Sequence, residues 1–340
     1  MRKIVLTMFA AVALLGCSNE STPVAPDATR AISFGTVDTR ANITTGDIES
    51  AGFGVYAFVS TGEGSNIYEH LLGNEDGAKS VYKDVEGNWT YDDVKFWLGN
   101  RTYQFFGIYP NDASYSITKD ISGNPTGISR VFTTPDEADE DLVLAQTTID
   151  TSESTPTSVD MNFQHMLSKV SLNVWRNHGK HQNDQMRVRK VTLSNIRKVG
   201  TLSTASNTWS YTNDKLKMEY VNNDVTDNDN IGAAVITDGS WSYSGDASKP
   251  FSELMLLPQT LDASNNSVSL KIVYELKRQN AADWEEKELE TMLPSMTLNP
   301  GQRYTFNVVL SSVTDITVYY IQTKVDPWGT PQVGGTVIIK

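Results

Sequence analysis

The feature that most constrains this chain is its punctuation. Short runs rich in β-branched and aromatic residues recur at 53–59, 103–109, 170–175, 188–193, 268–276, 304–310, 316–321 and 336–339, separated by Gly, Asn, Asp and Ser. Between residues 268 and 274 the apolar Val268, Leu270, Ile272 and Tyr274 alternate with more polar neighbours, Val273 being the exception. A period of two is the signature of a half-buried strand. Ile316, Val318 and Tyr320 mark one face of the next run, and Thr317, Tyr319 and Ile321 the other. Long stretches of helical period are scarce. Residues 283–293 read as a helix or as a strand about equally well. Strands at this spacing, with turn residues between them, build β-sandwiches.

At 340 residues the chain exceeds what one hydrophobic core usually serves, so two domains are expected. A polar stretch at 150–157, containing Ser152-Glu153-Ser154-Thr155-Pro156, breaks the apolar pattern. It sets a boundary near residue 160, between domains 31–160 and 161–340. Residues 222–230 are polar and acidic and read as an exposed loop, and no internal repeat stands out.

Lysine and arginine number 28 against 41 acidic residues, a net charge of −13. Nucleic acid needs a basic face, so it is excluded as a partner. Adsorption to anionic lipid by charge alone is excluded on the same ground. One cysteine rules out an intrachain disulfide and a Cys-based zinc site, and four histidines leave little for metal chemistry, so no metal or cofactor is expected.

No Gly-x-Ser-x-Gly elbow, Walker-type loop or His-Glu-x-x-His motif occurs, and the chain is read as no enzyme. His178 and His181 stand three apart in a polar loop and read as a solvated turn. Residues 227–232 begin like a calcium loop, but Ile231 takes the place of an oxygen ligand. The acidic run 136–141 reads as a solvated loop. A pair of carboxylates for sugar hydrolysis is left as a third reading, since such a pair is spatial rather than sequential. Trp97, Trp175 and Trp328 are read as core. Trp209 and Trp241, each in a Trp-Ser-Tyr triplet, either cover a core edge or form a sugar-stacking or partner-binding platform.

The first residues are Arg2-Lys3, an apolar run from 4 to 15, and then Gly16-Cys17. That is a secretory signal, too short to span a bilayer, which takes about 20 residues. With the chain's one cysteine at its end, it resembles a bacterial lipoprotein signal. Residues 1–16 would be removed, and Cys17 would be lipidated and lead the mature chain. Several acyl chains, at about 0.8 kcal/mol per buried CH₂, anchor such a protein stably. Residues 17–30 are small, polar and proline-bearing, the composition of a tether.

Several pieces, in order along nearly the whole chain, resemble the fimbrillin-like family. They are Ile32-Ser-Phe-Gly-Thr, Thr39-Arg40-Ala41, Phe53-Gly-Val-Tyr-Ala-Phe, Phe96-Trp97 and Tyr103-Gln-Phe-Phe-Gly-Ile-Tyr-Pro110. Asp141-Leu-Val-Leu-Ala145 and Met161-Asn-Phe-Gln-His165 follow. Leu257-Pro-Gln-Thr-Leu261, Pro300-Gly301 before Tyr304, and Val325-Asp-Pro-Trp328 close the set. His165 is read as a packing residue at the start of the second domain.

The resemblance implies two tandem transthyretin-like Greek-key β-sandwiches and a subunit of a pilus, or fimbrium. It implies passage to the outer membrane through the lipid, palmitate included, and cutting near the N-terminus by an arginine-specific protease. The first strand is then lost, and donor-strand exchange with another pilin subunit fills the groove. On this chain Ile32 and Phe34 belong to the displaced strand, Arg40 is the candidate cleavage site and Arg30 the runner-up. The tail carrying Val333, Val337 and Ile339 is the candidate donor, or else closes its own domain. It is short for a stalk subunit, which leaves room for a tip, anchor or accessory role, with a host glycan or protein receptor as a further partner. The competing reading is a lipid-anchored surface glycan-binding protein.

Overall fold

In the computed structural model the described residues are 30–39, 45–112, 115–134, 141–177, 183–206, 208–212, 215–221, 231–237, 240–249, 253–261, 268–293, 295–310, 321–327 and 337–338. They are almost entirely strand. The single helix among them, α1 (Thr45–Ala51), is seven residues long and buries Ile48.

The upstream strands are β1 (Phe34–Thr39), β2 (Phe53–Ser60), β3 (Tyr68–Leu72), β4 (Lys79–Lys83), β5 (Trp89–Thr90), β6 (Thr102–Tyr109), β7 (Tyr115–Lys119), β8 (Pro125–Thr133), β9 (Val143–Asp150) and β10 (Val159–His165). Their main sheet is hydrogen-bonded in the order β3-β2-β4-β5-β1-β10-β9-β6, and β6 also pairs with β2. The ladder therefore closes on itself. Inside the ring lie Phe53, Val55, Ala57 and Val59 from β2, Tyr103 and Phe105 from β6, Val143 and Ala145 from β9, and Val159, Met161 and Phe163 from β10.

All eight positions of β2 are buried, which explains why Phe-Gly-Val-Tyr-Ala-Phe-Val-Ser reads as continuous apolar sequence. Its second face, with Tyr56 and Phe58, packs into another core with Phe106, Ile108, Leu142 and Leu144. That core is roofed by a four-stranded sheet in the order β14-β13-β8-β7. The sheet draws β13 (Val199–Ser203) and β14 (Thr208–Tyr211) from beyond residue 160. Val199 to Ser203 pair antiparallel with Thr133 to Ser129, so the two halves share a sheet.

The downstream half continues with β11 (Ser168–Asn177), β12 (Gln185–Arg197), β15 (Lys215–Val221), β16 (Ala233–Thr237), β17 (Ser240–Ser244), β18 (Leu254–Leu256), β19 (Gln259–Leu261), β20 (Ser269–Lys277), β21 (Glu285–Met292), β22 (Met296–Leu298), β23 (Gln302–Leu310), β24 (Ile321–Pro327) and β25 (Val337–Ile338). One sheet runs β17-β16-β11-β23-β24-β25, with β18 also on β11, and the other runs β15-β12-β20-β21. Between them lie Val170, Leu172 and Val174 of β11, Tyr304, Phe306 and Val308 of β23, Val188 and Val191 of β12, and Leu270 and Ile272 of β20. This is a β-sandwich with the alternation that 268–274 carries in sequence.

Several expectations change in detail. The stretch 283–293 resolves as the strand β21. Residue 160 falls inside β10, which pairs with β1 and β9, so the upstream sheet runs on to His165. Trp175 is not core. The inward position beside it is taken by Val174, and Trp175 lies on the outer face, its ring 4.4 Å from that of Tyr243. Asp141, the end of the acidic run, is buried against His165 rather than solvated.

Candidate functional site: the seat of the first strand

Residues 30–39 reach the ring from outside and bridge it. On one side the segment runs antiparallel to 95–97. Ile32 N–H donates to the Lys95 carbonyl at 2.8 Å, and Trp97 N–H donates to the Arg30 carbonyl at 3.2 Å. On the other side Val159 N–H donates to the Ser33 carbonyl at 2.8 Å, and β1 then runs parallel to β10. Phe34 stands opposite both Trp89 of β5 and Val159 of β10. Among the described residues β1 is the only strand joining β5 to β10.

The alternation Ile32-Ser33-Phe34 places two large apolar side chains inward and a polar one outward. Ile32 is 1% exposed and Phe34 5%. Phe34 meets Phe53 and Tyr91 edge-on at 5.7 Å and Phe105 at 6.2 Å. Burying two such side chains contributes roughly 1.5–3 kcal/mol each, and well-placed aromatic edges add to it. The Tyr91 hydroxyl donates to the Ile32 carbonyl at 3.0 Å and accepts from Lys95 N–H at 3.1 Å. Burial raises the Tyr91 pKa above the ordinary phenol value, which keeps that donor protonated. Ser33 Oγ donates to the Thr157 carbonyl at 2.9 Å.

Phe34 pairs with Val159 and Val37 with Met161, so β1 spends three residues where β10 spends two. The extra residue makes a bulge at Gly35-Thr36. Glycine leaves room there for two side chains: a Cβ on Gly35 would lie 2.5 Å from Ser158 Oγ and 2.6 Å from Asp160 Oδ1, and both would have to turn to admit it.

A family model described as fimbrillin-like matches residues 39–328. The chain belongs to the fimbrillin-like family. Such membership is that of a cell-surface fimbrial protein that assembles with other pilin subunits, and it points to a structural role. The fold is similar to the crystal structure of a fimbrial protein from Bacteroides vulgatus, with 18% identity, 88% of this chain and 99% of that one covered, and a TM-score of 0.62. Two further crystal structures, described as candidate cell adhesion proteins, overlay more loosely. The one from Bacteroides uniformis has 14% identity, 88% and 98% coverage and a TM-score of 0.45. The one from Parabacteroides distasonis has 10% identity, 89% and 97% coverage and a TM-score of 0.49. No curated protein matches the chain significantly.

In this fimbrillin-like chain the residues singled out from sequence fall as follows. Ile32 and Phe34 are together in the ring. Arg30 is exposed, with its guanidinium on the hydroxyl of Thr155 at 2.7 Å and on the same residue's carbonyl. Cys17, Arg40, His178, His181, Trp328, Val333 and Ile339 lie outside the described residues, as do 136–140 and 227–230. Val337 is in β25, opposite Thr323 of β24. His165 Nδ1 sits 2.5 Å from Asp141 Oδ2, both side chains buried. Trp209 is half-buried at the edge of the shared core, its Nε1 donating to the Met166 carbonyl at 3.1 Å. Of Trp241 only the backbone is described. Ile231 is buried. Among the described residues no three His, Cys, Asp or Glu side chains gather as a metal site.

Sequence reasoning did not find Tyr91, Trp89 and Gly35, which shape the seat. Gly35 carried a signal, an isolated glycine inside a strand pattern, which often marks a bulge or close approach.

Proposed function

We propose that this protein is a structural or adhesive fimbrial subunit, or a tip or anchor component, whose first strand is exchangeable. It is exported as a lipoprotein on Cys17 to the outer membrane. Cutting after Arg40 by an arginine-specific protease frees residues 17–40, and a strand from another subunit takes the vacated seat. The observation that supports this reading is the position of β1. Among the described residues it closes the ring alone between β5 and β10, and through short backbone edges on either side. Its departure exposes the apolar lining around Phe34 and unpaired groups on Ser33's partner strand, and such an edge is a template for a new strand. The tail with Val333, Val337 and Ile339 is the donor in this scheme, and β25 on β24 is its resting place within one chain.

Treating the purified precursor with an arginine-specific protease tests the scheme. Cutting at Arg40 followed by concentration-dependent polymers or dimers is the expected result. A cut product that stays monomeric at every concentration overturns strand exchange.

The glycan-binding reading has one observation in its favour. Tyr243, 39% exposed, lies over Trp175 beside the Asn173–Asn307 amide pair on the outer face of the downstream sandwich. Binding of oligosaccharides that is lost in Tyr243→Ala would favour it over the pilus scheme.

A further inference from the structure

We infer that the seat of β1 is selective, and that the strand it accepts in exchange must carry an aromatic residue followed by glycine. This inference rests on the exchange scheme above and adds the sequence of the partner strand. Two features of the seat set the requirement. The Phe34 site is walled by Phe53, Tyr91 and Phe105, each meeting the ring edge-on, so a smaller side chain there leaves an internal void. One residue on, side chains at the start of β10 stand against β1, so that a Cβ would meet Ser158 Oγ at 2.5 Å, Asp160 Oδ1 at 2.6 Å and Ser158 Cβ at 3.0 Å.

The two oxygens approach from Ser158, just before β10, and from Asp160 within it, so the contact is relieved only if both side chains turn away together. A β-branched residue adds a second branch to the same crowded point and is excluded more strongly. The occupant is therefore a strand of another subunit, reading aliphatic-x-aromatic-Gly and running parallel to β10. This chain's tail meets only the glycine part of the requirement. Gly335-Thr336-Val337 repeats Gly35-Thr36-Val37, but Gln332 and Gly334 stand where Ile32 and Phe34 do. A copy of the same tail thus supplies the glycine without the ring, so it seats, but more weakly than the strand of a related subunit that brings both.

The full chain, with a specific protease site inserted between residues 40 and 45, tests this. After cutting, the old strand stays seated by non-covalent contacts. Fluorescent peptides with the sequence of residues 30–39 are then offered in exchange, as wild type, with Gly35→Val and with Phe34→Ala. The wild-type peptide should enter, and each variant should bind at least about tenfold more weakly. Repeating the exchange on a Ser158→Ala/Asp160→Ala chain removes both oxygens, and the Gly35→Val peptide should regain most of its binding while Phe34→Ala does not. Equal binding of wild-type and Gly35→Val peptides to the unaltered seat refutes the selectivity and leaves strand exchange standing. Failure of the wild-type peptide to enter at all refutes both.

Discussion

Replacing Phe34 by alanine removes the largest side chain that β1 contributes to the ring. The ring edge of Phe34 is held by three aromatic neighbours at 5.7 to 6.2 Å, and the site is enclosed, so little collapse can fill the space. Phe→Ala at such a position costs about 3–5 kcal/mol. For a cooperative unit of this size that lowers Tm by on the order of 10 °C. Denaturant unfolding followed by tryptophan fluorescence reads it, since Trp89 and Trp97 lie in or against the same core. Ser33→Ala is the control. Ser33 loses only its bond to the Thr157 carbonyl, worth about 1 kcal/mol or less. Phe34→Ala melting within about 2 °C of wild type would refute the premise that this strand is an integral wall of the core.

Three further outcomes follow from the same structure. Arg40→Gln should leave the protease-treated chain monomeric, measured by light scattering, whereas polymers from this variant would place the decisive cut elsewhere. His165→Leu strands the buried Asp141 carboxylate and should cost about 3–5 kcal/mol, with His165→Leu/Asp141→Leu recovering most of it in urea unfolding. Burial raises the pKa values of Tyr91, Tyr103, Tyr115 and Tyr274 in the folded state. Their stabilising contribution is complete below the unfolded value of about 10 and is lost as pH climbs from there toward the folded values. Absorbance at 295 nm should therefore show a tyrosine class that ionises only together with alkaline unfolding. Smooth titration of all tyrosines near pH 10 would contradict their burial.

Local pattern carried much of the fold. The alternation of Val268 to Tyr274 and the inward pair Ile32 and Phe34 were readable as period-two burial, and the runs at 53–59 and 103–109 as continuous apolar sequence of strands buried on both faces. Order among strands was not. The closing of the ring through β6 and β2 depends on pairings between distant segments, as does the sheet shared by β8 and β13. The same holds for Asp141, whose burial follows from His165 arriving on β10 across 24 residues. Trp175 looked like core because it follows Val174 in an apolar run, and only the burial of Val174 in the core, with the Trp175 ring against Tyr243, shows which of the two faces inward. α1 is only seven residues long, too short for a helical period to show. At the seat of β1, Phe34 was legible as an apolar inward position. The meaning of Gly35 was not, because Ser158 and Asp160 approach it from more than a hundred residues away.

Whether β1 leaves in the living cell is decided by the mature N-terminus, read by mass spectrometry of protein taken from native fimbriae. The account calls for assembled protein that begins at Ala41, with a lipidated Cys17 confined to the unassembled precursor. Assembled protein that still begins at Cys17 and retains Ile32 and Phe34 would contradict it.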